Sequence, residues 1–244
     1  MFRKNLIRLS FSHTLLFLFL LLGFSLRFIK LAEVPQGFTW DEAAIGYNAY
    51  SLLKTGKNEF GKPWPIFLES FGDFKTGIYS ILITPVIRLL GLTVFSVRLP
   101  NAFAGCLIIL AGFYLASRVF KKTMPASLVA GLISISPWAI HVSRFAIEWL
   151  LGIPLIIIGA GLLLENKKQN FSMPLAAIMF SLSLYFYHSF RLFVPLLLFG
   201  YAFIYKKVLL KKKKLVLISL FIGFLTLLPL LITIKSDCLV DHKN

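Results

Sequence analysis

Residues 77–92 read GIYSILITPVIRLLGL. Whether this stretch crosses a bilayer decides which side every later loop faces. Hydropathy finds eight apolar runs, near residues 12–29, 76–95, 99–117, 124–140, 149–164, 172–188, 192–205 and 215–234. A crossing helix needs about 20 apolar residues, usually roughly 17–25. If 76–95 crosses, the loop with Arg118, Lys121 and Lys122 falls outside, and so do Lys167, Lys168 and the basic run 206–214. That breaks the excess of Lys and Arg expected in cytoplasmic loops. If it does not cross, every basic loop and the N-terminus lie inside. Pro85 at its middle and Arg88 within it fit a helix lying at the interface or re-entering the membrane.

Seven spans then remain. The basic start (Arg3, Lys4, Arg8) precedes an apolar run at 15–22, and no small-x-small cleavage site follows, so the first span reads as an uncleaved signal anchor. The expectation is an all-α polytopic membrane protein: a bundle over 1–234 and a polar tail over 235–244. Its long outer loop, about 31–98, should carry two surface helices, at 43–53 and 76–92.

Composition agrees. Of 244 residues 58% are hydrophobic, and mean hydropathy is +0.82, against about 45–50% apolar in ordinary soluble domains. The net charge of +16 sits between apolar runs. That placement suits cytoplasmic loops and anionic lipid headgroups rather than nucleic acid. Cys106 and Cys238 form neither a metal pattern nor a disulfide framework.

Most acids fall on the outer side: Glu33, Asp41, Glu42, Glu59, Glu69, Asp73 and Glu148. Asp41 and Glu42 are adjacent, within TWDE at 39–42. That tetrapeptide fits a capping box opening a helix. A carboxylate mounted there also suits general-base work on an acceptor hydroxyl. The two side chains point about 100° apart around a helix of 3.6 residues per turn, so they should not share one task. Lys75, Arg98, His141, Arg144, His188 and Arg191 fall on the same side. Each cation can snorkel to headgroups, which serves equally well for Arg98; Lys75, His141, Arg144, His188 and Arg191 together suit a lipid phosphate or pyrophosphate. His141 with Glu148, or His188 with Asp41, can be imagined around a cation, but no spacing indicates a metal. P-loop, dinucleotide and G-x-S-x-G motifs do not occur.

PQGFTWDE (35–42) and FGDFK (71–75), with SVRLPNAFAG (96–105), SPWAIHVSR (136–144) and YFYHSFR (185–191), resemble GT-C-fold glycosyltransferases. The likeness is to family 39 and related lipid-carrier-dependent enzymes, among them protein O-mannosyltransferases and aminoarabinose transferases. The resemblance implies a sugar donor on polyprenyl phosphate and transfer on the outer face to an acceptor it does not specify. It implies Asp41 as catalytic base, Glu42 assisting, and Lys75 near the donor phosphate. Arg144, His188 and Arg191 are further candidates for that phosphate; Asp73, Arg98, His141 and Glu148 are supporting candidates. No cofactor is required. The bacterial cytoplasmic membrane, with the N-terminus inside, is the expected location. Thr76 stands where many relatives have proline. The chain ends at KSDCLVDHKN, short of the further spans usual in the family, so it reads as an N-terminal part. The alternatives are a non-catalytic carrier-binding subunit and a transporter or flippase; the latter should show inverted repeats or broken helices.

Overall fold

The computed structural model describes residues 2–70, 73–165 and 171–240, with side chains described at 11–69, 75–165 and 171–233. The side chains of Arg3, Lys4, Arg8, Asp73, Lys167, Lys168 and Cys238 lie outside the described residues. Helix α1 (Phe2–Phe28) opens the chain. The segment expected to be an outer loop holds α2 (Trp40–Thr55), strands β1 (Phe67–Ser70) and β2 (Asp73–Thr76), and α3 (Ile78–Leu90). Then follow α4 (Val94–Phe120), α5 (Thr123–Ile135), α6 (Pro137–Ser143), α7 (Glu148–Glu165), α8 (Ser172–Ser183), α9 (Phe190–Ile204), α10 (Lys206–Lys211) and α11 (Lys213–Val240). The antiparallel β1–β2 ribbon is the exception to the all-α expectation. Helix α11 continues to Val240, into the stretch expected as a polar tail.

Among the described residues four helices are long and apolar enough to cross a membrane: α1 over Phe11–Phe28, α4, α7, and α11 over Lys213–Thr233. Helices α5 and α6 pass the same test together, bent by 60°. These spans are those of an all-α integral membrane protein. The bend replaces the single run expected at 124–140. Pro137 disfavours a helical Ser136 before it, and Ser136 is extended (φ −59°, ψ 119°) and accepts a bond from Ala139 N to start α6. Helices α8 and α9, with 12 and 15 residues, are shorter than a usual span.

Contacts give each helix its direction. At one end of α1, Ser127 Oγ donates to Ser12 O at 2.9 Å; at the other, Arg27 Nη1 donates to Ser134 O at 3.3 Å. So α1 and α5 run parallel. In α4, Asn101 reaches the carbonyl oxygens of Phe145 and Ile147, and Tyr114 OH reaches Glu165 at 3.0 Å. So α4 and α7 run parallel, opposite to α1. Phe180 lies against Gly159 and Phe186 against Gly152, which sets α8 against α7. Tyr201 OH meets Leu163 O at 2.9 Å and Phe190 meets Gly152, so α9 follows α7. Ser181 meets Gly223 and Tyr185 OH meets Thr226, so α11 follows α8. Helices α1, α4, α5, α7, α8, α9 and α11 therefore alternate between two ends. His13, Arg118, Lys121, Lys122, Glu165 and Tyr205 gather at one end; α2, α3 and the ribbon gather at the other.

Helix α3 stays at that second end. Its 13 residues span about 20 Å at 1.5 Å each, short of a hydrocarbon core of about 30 Å. Near its start Tyr79 OH donates to Val97 O at 2.8 Å and Ser80 Oγ to Ile45 O at 3.1 Å. Just past its end, Gly91 O accepts from Ser96. Its inward face (Tyr79, Ser80, Ile83, Thr84, Ile87) is buried, while Leu82, Leu89 and Leu90 face out. The hydroxyls of α3 thus face the protein and its leucines face outward.

With lipid as solvent, close helix approach relies on small residues. A Cβ on Gly161 would stand 2.4 Å from the Tyr114 ring, and one on Gly131 2.5 Å from Phe19. Gly161→Val should therefore overpack the α4–α7 seam and destabilise by about 1–3 kcal/mol, seen as a lower unfolding temperature in detergent.

Candidate active site at one end of the bundle

Thr39 caps α2. Its hydroxyl accepts from Glu42 N at 3.2 Å, and Glu42 Oε2 accepts from Thr39 N at 3.0 Å. The capping box read from TWDE is present. Glu42 does more than cap. Arg98 grips it from two sides, Nε to Oε1 at 2.7 Å and Nη2 to Oε2 at 3.0 Å, and Ala146 N donates to Oε1 at 3.1 Å. Arg98 also donates to the carbonyl oxygens of Leu31, Pro35 and Gly37. All five guanidinium N–H groups are thereby used. Both side chains are fully buried. One ion pair thus joins the end of α1, residues 35–37, α2, α4 and the loop before α7. Expected as a catalytic assistant and a supporting cation, Glu42 and Arg98 are instead committed to each other and to the backbone.

Arg144 is committed in the same way. It donates to the carbonyl oxygens of Leu26, Ile29, Lys30 and Val34. Leu26 O belongs to the last turn of α1, where carbonyls lack helical partners, and the other three belong to the turn that follows it. Arg144 thus closes the end of α1 instead of standing ready for a phosphate. Burial lowers its pKa below the usual arginine value, and the nearby Arg98 charge adds to that.

Asp41, one position from Glu42, faces a different way and is half exposed. Lys75 Nζ of β2 donates to Asp41 Oδ1. The ribbon brings this lysine in. Its register pairs Leu68 with Lys75 and Phe67 with Thr76, and successive side chains of a strand point to opposite faces. Leu68 and Lys75 therefore turn towards α2, while Phe67 and Thr76 turn away. Asp41, Asn48, Leu68, Glu69, Lys75 and Glu148 line one cleft. In this state it holds about 10 Å³, roughly one water molecule. Asn48 bonds Glu59 through both its amide groups, tying the loop after α2 to the cleft wall. Lys75 thus pairs with Asp41, and Glu148 lines the same cleft.

The remaining expected cations are not brought into that cleft. Arg191 lies behind the ribbon, its guanidinium over the Phe67 ring at 5.0 Å, beside Thr76, which donates to Tyr185 O at 2.6 Å. His188 is exposed on the turn before α9, its ring 4.3 Å from that of Tyr187. His141 is exposed at the end of α6, edge-on to Phe145 at 4.9 Å. For Asp73 the backbone alone is described, paired with Ser70. Among the described residues no group of three or more His, Cys, Asp and Glu is placed to hold a metal ion.

Two polar residues were missed. Asn48 stands two helical turns after Asp41 on one face of α2, a spacing that signals a shared wall. Arg27, buried at the end of the first span, donates to Gly23, Ile133 and Ser134 oxygens; a lone cation within an apolar run is itself a signal.

Fold and site together define a helical membrane protein with an acid-lined cleft at one end of its bundle. No protein-family model, no curated protein and no solved structure matches the chain.

Proposed function

We propose that this chain is a membrane glycosyltransferase of the GT-C kind, moving a sugar from a polyprenyl-phosphate carrier to an acceptor hydroxyl. The observation that carries the reading is the cleft itself: an exposed Asp41, mounted on a capped helix start, beside Lys75 and Glu148. Asp41 takes the acceptor proton as the acceptor oxygen bonds to the anomeric carbon. The bond from that carbon to the phosphate oxygen breaks, and the departing phosphate charge is met by Lys75. Glu148, lining the same cleft, offers an acceptor for a sugar hydroxyl. Glu42, Arg98 and Arg144 hold this machinery in place. The seven alternating helices are the spans, α2 and α3 lie on the outer surface of a bacterial cytoplasmic membrane, and the N-terminus is inside. The basic residues at the opposite end support that orientation.

The test is transfer of labelled sugar from polyprenyl-phosphate sugars by purified protein in lipid, with donor binding measured in the same samples. Lys75→Gln should weaken donor binding by about 10- to 100-fold, the worth of one hydrogen bond to a charged group. Loss of turnover in Asp41→Asn with binding retained supports the base. Binding without turnover in wild type points to the carrier-binding subunit, and neither across a donor panel to a transporter.

A further inference from the structure

A second groove lies at the other end of α2. Tyr50, Leu53 and Lys54 of α2 face Ile87 and Arg88 of α3, with Leu92 closing it, around about 570 Å³. Two cations enter this groove and no acidic side chain lines it. Lys54 lies over the Tyr50 ring at 5.6 Å. Thirteen residues of helix separate Lys54 from Asp41, about 20 Å at 1.5 Å per residue, so the groove is separate from the acid-lined cleft.

Each cation complements the carbonyl end of its own helix, and such a placement is worth about 0.3–1 kcal/mol. That accounts for one cation per helix end. It does not account for the two sharing one concavity. Beside the groove, Leu89, Leu90 and Leu92 are exposed, Leu89 by 82%. Three outward leucines next to two cations match the two ends of a phospholipid, chains against the leucines and phosphate between the cations.

We propose that the Lys54–Arg88 groove binds the headgroup of an anionic membrane phospholipid. The guanidinium and ammonium clamp the phosphate, Tyr50 flanks the glycerol, and the acyl chains run along the outward Leu89 and Leu90 at the end of α3 and Leu92 just past it. This inference requires that the protein sits in a bilayer and is independent of the sugar-transfer reading. Its consequence is mechanical: a lipid held at the far end of α2 fixes the depth of the helix that carries Asp41.

Native mass spectrometry of the delipidated full chain in detergent tests it, titrated with phosphatidylglycerol or with phosphatidylcholine. Wild type should retain one phosphatidylglycerol that Lys54→Gln/Arg88→Gln binds about tenfold more weakly, the factor for loss of about 1.4 kcal/mol. The charge-conserving Lys54→Arg/Arg88→Lys should restore it, which also controls for folding. Lys121→Gln/Lys122→Gln, at the opposite end, should leave it unchanged. Equal retention by the Gln pair overturns the site, and so does an equal loss in the Lys121/Lys122 pair, which would reduce the effect to overall charge. Equal retention of phosphatidylcholine overturns the requirement for an anionic lipid. Displacement by glycerol phosphate at matched concentration overturns the membrane lipid as its source.

Discussion

If the chain is the proposed transferase, Asp41→Asn should lower sugar transfer by about 10²- to 10⁴-fold, the range for losing a positioned general base, and leave the fold intact. The amide keeps the shape of the carboxylate and its place in the first turn of α2. It cannot accept a proton from an alcohol. The stability cost is small because the Asp41–Lys75 pair is exposed, 56% and 30% at the two side chains, and exposed pairs contribute about 0–1 kcal/mol. Thermal unfolding in detergent should match wild type, and donor binding should persist through Lys75. Unchanged turnover would remove the base from the proposal and leave Asp41 as a surface partner of Lys75.

Glu42→Ala has the opposite phenotype one residue away. Arg98 would keep its burial and lose the carboxylate that balances it. Breaking a buried pair by removing one partner costs about 3–5 kcal/mol. The capping-box bond to Thr39 N and the acceptor for Ala146 N go with it. The expected result is a large fall in unfolding temperature, with activity lost because α2 no longer holds its place. Arg98→Met should destabilise comparably, stranding Glu42. A double variant that replaces both by apolar residues of similar volume should recover much of the loss, because an apolar pair replaces a charged one. If Glu42→Ala unfolds like wild type, the pair is not the tie that the geometry makes it.

These neighbours show how far local patterns reach. The TWDE spacing foretold a capped helix, and the cap is there. The spacing also foretold that the two acids diverge. It could not say which one goes inward, because that depends on Arg98, 56 residues later, and on Ala146 beyond it. The cations divide for the same reason. Lys75, Arg144 and Arg191 look equivalent as charges on one side of a membrane. The ribbon register sends Lys75 to one face and leaves Arg191 behind the other, and the open end of α1 takes Arg144.

The sequence by itself determined the apolar helical bundle, a short helix within 77–92 and the helix start at Thr39. Hydropathy, charge placement and capping act over a few residues, or add up along one segment, so they can be read without a partner. Tertiary structure alone decided which polar groups remain free for chemistry. A guanidinium with five donors is available or spent according to which carbonyls and carboxylates surround it, and those come from segments far apart in the chain. Only their meeting leaves Asp41 exposed while Glu42 is buried.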